Sequence, residues 1–106
     1  MAGEVTNYIE LKVGVPVTMR YDKFAWQSRQ VVDPDLGFSK TVRALVFHVV
    51  EQDGRPADTI FSLISTKAQK EIEPYLLAEK FRRYKFTWLK EAPGYVAPRL
   101  VNVSPL

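Results

Sequence analysis

Cysteine is absent from this chain of 106 residues. That excludes disulfides, thiolate-bound metals and cysteine nucleophiles. Histidine occurs once, as His48, and each of the five glycines stands alone, so no glycine-rich loop is available to cradle a phosphate. A nucleophile needs a base and an orienting partner; no such set surrounds His48, which reads as a packed or surface imidazole in a strand. Asp33-Pro34-Asp35 offers two aspartates held apart by a rigid proline, fewer oxygen ligands than a calcium loop requires. No catalytic residue, metal or cofactor is therefore expected. Long apolar runs are missing too, since none approaches the roughly 18 residues that cross a bilayer. The opening MAGEVTNYIELK has neither the basic nor the apolar region of a secretory leader. The simplest expectation is a cytoplasmic protein with no membrane partner.

What is present is ordinary globular material, 46% hydrophobic and 25% charged, a balance typical of folded rather than disordered chains. A single domain over residues 8–106 is expected, after an extension of residues 1–7. The net charge of +3 is unevenly spread: residues 67–106 carry eight basic and four acidic side chains, against seven and eight in residues 1–66. EKFRRYKFTWLK, residues 79–90, holds five cations and four rings beside one acid, Glu79. Such a stretch either attracts a polyanion or is a core strand with a solvated basic back.

Apolar residues alternate from Tyr8 onward. Ile9, Leu11, Val13, Val15, Val17, Met19 and Tyr21 share one parity, which predicts a long, half-buried first strand. After Asp22 the parity slips to Phe24 and Trp26, so a bulge is expected near Asp22 and Lys23. QSRQVVDPDLGFSK, residues 27–40, reads as a loop or hairpin tip, rich in turn chemistry around Asp33-Pro34-Asp35-Leu36-Gly37. Thr41 to Glu51, apolar on both parities, predicts a central strand. Asp53-Gly54 predicts a tight turn, widened by Arg55-Pro56-Ala57, and Asp58 to Ile64 a third strand. Thr66 with Gln69 is a capping-box pattern opening a helix from Lys67 to Glu79, broken at Glu73-Pro74. Residues 79–90 then form a fourth strand, with Tyr84, Phe86 and Trp88 toward the core and Arg83, Lys85 and Thr87 outward. Trp88, near the strand end, is the ring expected to emerge. Arg99 to Val103 makes a fifth strand.

Three strands, a helix and two more strands, over residues 8–104, resemble the OB-fold. Within it the chain is similar to single-stranded DNA-binding proteins and replication-protein-A-like modules. The resemblance rests on element order. It implies a mainly β, five-stranded Greek-key barrel with one helix between strands three and four. Ligands of that fold lie on the face of strands two and three and on the loops after strands one and four.

Trp26 and Phe38 flank the first of those loops, beside Arg29 and Lys40. Tyr95 lies in the second, followed by Arg99. Arg43 sits on the second strand, and Arg83 and Lys85 on the basic stripe of the fourth. Rings interleaved with cations suit single-stranded DNA or RNA, because cations track phosphates and each stacked base contributes roughly 1–3 kcal/mol. The expectation is non-catalytic binding with low sequence specificity, at one mouth where the two loops lie side by side. The alternative is a protein-interaction subunit of a larger assembly, its aromatic loops anchored in a partner's pockets. Barrel edges and the apolar segment Val101 to Leu106 also allow a homodimer.

Overall fold

The computed structural model describes residues 8–32, 35, 37–94 and 96–106. It holds five strands, β1 (Val17–Val32), β2 (Ser39–Gln52), β3 (Arg55–Leu63), β4 (Tyr84–Leu89) and β5 (Arg99–Pro105), with a short helix, α1 (Thr66–Ile72), between β3 and β4. All pair antiparallel in one sheet of order β3-β2-β1-β4-β5. Because β4 returns through a long connection to lie beside β1, the first four strands take the spatial order 4-1-2-3 of a Greek key. The sheet is not closed: β3 and β5 are its edges.

The first strand begins at Val17, not Tyr8. Gly14 takes a φ of 77°, a left-handed conformation that interrupts a strand, and Pro16 has no ladder donor. Residues 8–16 instead form a strap between β3 and the end of β4. Ile9 N–H donates to Ile60 O, and Gly14 N–H to Lys90 O, each at 2.9 Å. Ile9 and Leu11 still pack against the core, while Val13 and Val15 are exposed.

The bulge sits where the parity slips. Tyr21 pairs with Val49 and Lys23 with His48, leaving Asp22 as the extra residue. Beyond it, β1 and β2 run on through most of the stretch expected to be a loop. Their register is unbroken to Val32–Ser39. Among the described residues, the six pairs from Gln27–Ala44 to Val32–Ser39 have no third strand beside them, since β3 stops opposite Leu45 and β4 reaches only Val17 to Met19. A two-stranded arm results. Asp33, Pro34 and Leu36 of the expected turn lie outside the described residues.

At the other end of β2, Asp53 and Gly54 both take positive φ, 50° and 82°, as a two-residue type I′ hairpin requires. Arg55 to Ala57 therefore belong to β3 and do not widen the turn. Asp53 also pins it to β1: its N–H donates to Thr18 O at 2.8 Å, and its Oδ1 accepts from Thr18 N–H at 3.0 Å.

Helix α1 is capped by Ser65, whose Oγ accepts from Ala68 N–H, rather than by Thr66. Gln69 is thereby freed for another task. Its buried Nε2 donates to Arg43 O and Leu63 O, each at 2.8 Å. Glu71 Oε2 accepts from Leu100 N–H at 2.6 Å. One short helix thus ties down β2, β3 and β5. It ends at Ile72, and two 3₁₀ segments follow, Glu73–Tyr75 and Leu77–Arg83, the second kinked at Ala78 and Glu79, whose φ angles are 56° and 53°.

For this reason the fourth strand starts at Tyr84, not Glu79. Phe81, which a strand would have turned outward, is fully buried and meets Phe24 edge-on at 5.4 Å. Trp88 does not emerge. It is fully buried beside Phe61, and its Nε1–H donates to Tyr21 Oη at 2.9 Å. A satisfied indole N–H removes the main obstacle to sealing a tryptophan inside. The Tyr21 ring stacks on Phe47 with centroids 4.1 Å apart, and burial pushes its phenol far above the ordinary range, so it stays neutral. Phe86, as the alternation indicates, is also fully buried.

Candidate functional site

Register and alternation divide the long hairpin into two faces. Phe24, Trp26 and Ser28 of β1 lie opposite Phe47, Leu45 and Arg43 of β2 on the inner face. Lys23 and Arg29 share the other face with His48, Val42 and Lys40.

The outer face nearest the core is already occupied by its own charges. Glu51 bridges Lys85 Nζ at 3.1 Å and Arg20 Nη1 at 3.2 Å. Those cations, Lys85 foremost, hold the Glu51 carboxyl below its usual range. Thr18 and Thr87 hydroxyls meet at 2.8 Å on the same face. Of the cations in residues 79–90, Lys85 is thus engaged with Glu51. Three residues before Glu51 on β2, His48 sits between two carboxylates, with Nδ1 2.7 Å from Asp22 on β1 and Nε2 2.6 Å from Asp58 on β3. Asp58 first, then Asp22, raise the imidazole's pKa. An imidazolium donating from both nitrogens satisfies both acids, and it leaves no lone pair for general-base work.

The inner face of the arm is built differently. The Arg43 guanidinium lies 3.9 Å from the centroid of the Trp26 ring, a cation–π contact. Trp26 is half-buried and packs against the edge of the core, whereas Arg43 is exposed. Cross-strand neighbours put them there: Trp26 pairs with Leu45, so Arg43, two residues along, stands diagonally opposite. Strand segments 23–32 and 39–46 contain Lys23, Arg29, Lys40 and Arg43 and no acid. Phe38, at the arm's far end, is 60% exposed. The Arg29 guanidinium lies 5.8 Å from the Tyr8 ring.

Arg29, Phe38, Lys40 and Arg43 are therefore gathered on one arm, with Trp26 at its base in contact with Arg43. The other candidates are dispersed. Arg83 ends the second 3₁₀ segment, Lys85 is bound to Glu51, and Arg99 pairs with Glu91 at 3.1 Å. Tyr95 lies outside the described residues. The single mouth anticipated from the sequence does not form. β1 begins beside Trp88, where the segment leading to β5 departs, and ends at Val32, where the arm turns. The two loops leave opposite ends of β1.

A cleft of about 380 Å³ lies between the strap, β3 and the segment after β4, lined by Ile9, Leu11, Phe61, Ser62, Lys90 and Val96 among others. Among the described residues its ionisable side chains are Glu10 and Lys90. Lys23 and the Asp22–His48–Asp58 bridge were not singled out from the sequence. Only the bulge, which puts Lys23 opposite His48, hinted at them.

No family model matches the chain, and no curated protein or solved structure matches it.

Proposed function

We propose that this protein binds single-stranded nucleic acid, DNA or RNA, without catalysis, along the inner face and flanks of the β1–β2 arm. The observation that carries the reading is the Arg43–Trp26 stack on a ribbon whose strands bear four cations and no acid. Arg43 offers a phosphate donor beside a ring on which a base can stack. Lys23, Arg29 and Lys40 supply positive potential along the ribbon, and Phe38 a second ring at its end. None of these groups reads base edges in a fixed pattern, which favours low sequence specificity. In this reading the sheet is an OB-like barrel left partly open between β3 and β5, with α1 and the strap spanning the gap. The Greek-key strand order and the helix between β3 and β4 support it.

Titration of a labelled oligonucleotide at several salt concentrations tests the proposal. About three or four phosphate contacts should give a slope near −2 to −3 in log K against log salt. Trp26 is the responsive fluorophore, since Trp88 is sealed, and its emission should be quenched as bases stack. Binding indifferent to salt, or unaffected by Trp26→Ala, would refute the reading.

A second reading, as a subunit docking to another protein, is favoured by Val32 and Phe38, which stand 70% and 60% exposed at the arm's end. If it holds instead, Phe38→Ala abolishes association with that partner while oligonucleotides show no affinity at low salt.

A further inference from the structure

The strap and β3 part just past their bridge at Ile60. Ile9 N–H donates to Ile60 O at 2.9 Å, and the strap then crosses to the end of β4, where Gly14 N–H reaches Lys90 O. The cleft of about 380 Å³ opens in this fork. Its apolar walls are Ile9, Leu11, Phe61, Val96 and Pro98, and Ser62, Glu10 and Lys90 line it too.

Because Ile60 O bonds to the strap, the main-chain groups of Ile60 point away from β2. β2 and β3 stay in register from Val49–Thr59 to Leu45–Leu63 without a bulge, and main-chain groups alternate sides along a strand. The N–H and C=O of Ser62 therefore point away from β2 as well, toward the fork. Among the described residues no main-chain bond from outside the sheet reaches either of them. The Ser62 hydroxyl oxygen is buried and has no partner. Ser62 is thus short of partners at main chain and side chain alike. Glu10 and Lys90 stand in no ion pair among the described residues. The open edge is one residue long, since the strap takes Ile60 and β3 ends at Leu63. It has room for the main chain of a single residue, not for a strand.

We propose that this cleft binds a free apolar α-amino acid. The α-ammonium donates to Ser62 O and the α-carboxylate accepts from Ser62 N–H, the exchange that one hydrogen-bonded antiparallel pair makes. Glu10 and Lys90 supply the opposite charges that a zwitterion needs, Glu10 for the ammonium and Lys90 for the carboxylate. The side chain lies against Ile9, Leu11, Phe61, Val96 and Pro98. Those walls reject a charged side chain, because nothing along them would offset its desolvation. So small a ligand in one shallow cleft implies a dissociation constant on the order of millimolar. The cleft lies off the arm and does not depend on the nucleic-acid reading.

Titration of L-leucine into isotope-labelled protein, followed by NMR, tests this. The amide resonances of Ser62, Ile9 and Val96 should shift and saturate, while L-lysine and L-glutamate leave them in place. N-acetyl-L-leucine lacks the ammonium and L-leucinamide the carboxylate, so each should bind about two- to fivefold more weakly, the loss of one part-exposed ion pair. Lys90→Gln should weaken L-leucine by a similar factor yet leave L-leucinamide unchanged. Glu10→Gln should weaken L-leucine yet leave N-acetyl-L-leucine unchanged. Both variants keep the main chain of the strap and β4, which an unaltered amide spectrum outside the cleft verifies. No saturable shift with L-leucine, equal binding of doubly capped N-acetyl-L-leucinamide, or saturation by a capped tripeptide in place of leucine would overturn the proposal.

Discussion

Replacing Gln69 with leucine is the sharpest test of how this fold is held. The side chain is 7% exposed and gives its amide hydrogens to two main-chain carbonyls, Leu63 O and Arg43 O, both at 2.8 Å. Leucine matches its size and keeps the helix, so packing and propensity change little. The lost donors leave a buried carbonyl on β3 and a part-buried one on β2. An unsatisfied buried polar group costs about 1–3 kcal/mol, and the second, nearer solvent, costs less, so the total is about 2–4 kcal/mol. For a domain of this size that corresponds to a fall in Tm of roughly 10–25 °C, measurable by calorimetry or by urea unfolding. Gln69→Glu should be worse than leucine at neutral pH, because a carboxylate would face two carbonyl oxygens. It should recover as pH falls and the carboxyl gains a proton to donate. A Gln69→Leu protein within about 0.5 kcal/mol of the native one would refute the claim that these bonds tie the helix to the sheet.

Tyr21→Phe strips the acceptor from the buried Trp88 Nε1–H and should cost about 1–3 kcal/mol, read as a lower urea midpoint with unchanged slope. His48 has a folded pKa raised above 6.5 by Asp58 and Asp22. Its contribution to stability is therefore complete below that value and is lost as pH rises through the raised pKa. The urea midpoint should fall across that window in the native protein but stay flat in His48→Gln, and identical profiles would dismiss the bridge. Arg43→Ala should weaken oligonucleotide binding by about 1 kcal/mol or more, whereas Lys85→Ala, already engaged with Glu51, should leave it within about twofold.

Local patterns carried much of the fold. The slip at Asp22 marked a true bulge, because an extra residue shifts every following side chain to the other face. Asp53-Gly54 marked a true type I′ turn, and the Phe86 and Trp88 parity marked a core-facing strand. Misreadings fell where alternation and context conflict. Ile9 to Val15 alternate as a strand does, yet Gly14 and Pro16 turn that segment into a strap with two bridging bonds. Residues 27–32 look polar enough for a loop, yet register with β2 keeps them in a ribbon. Of the candidate binding residues, those near one another in a hairpin were found together. Lys85 and Arg99, by contrast, were each claimed by an acid, Glu51 and Glu91.

The sequence by itself determined the number and order of strands, the place of the helix and the aromatic composition of the core. These depend on periodicity, turn residues and composition, which act over a few neighbours. Tertiary structure alone decided that the sheet stays open and that Lys85 of the expected outer stripe is engaged by Glu51. It also decided that Trp26 and Arg43 stack on a projecting arm. Each of those turns on partners more than a dozen residues away, where register and hydrogen-bond geometry choose among pairings that local pattern leaves equivalent.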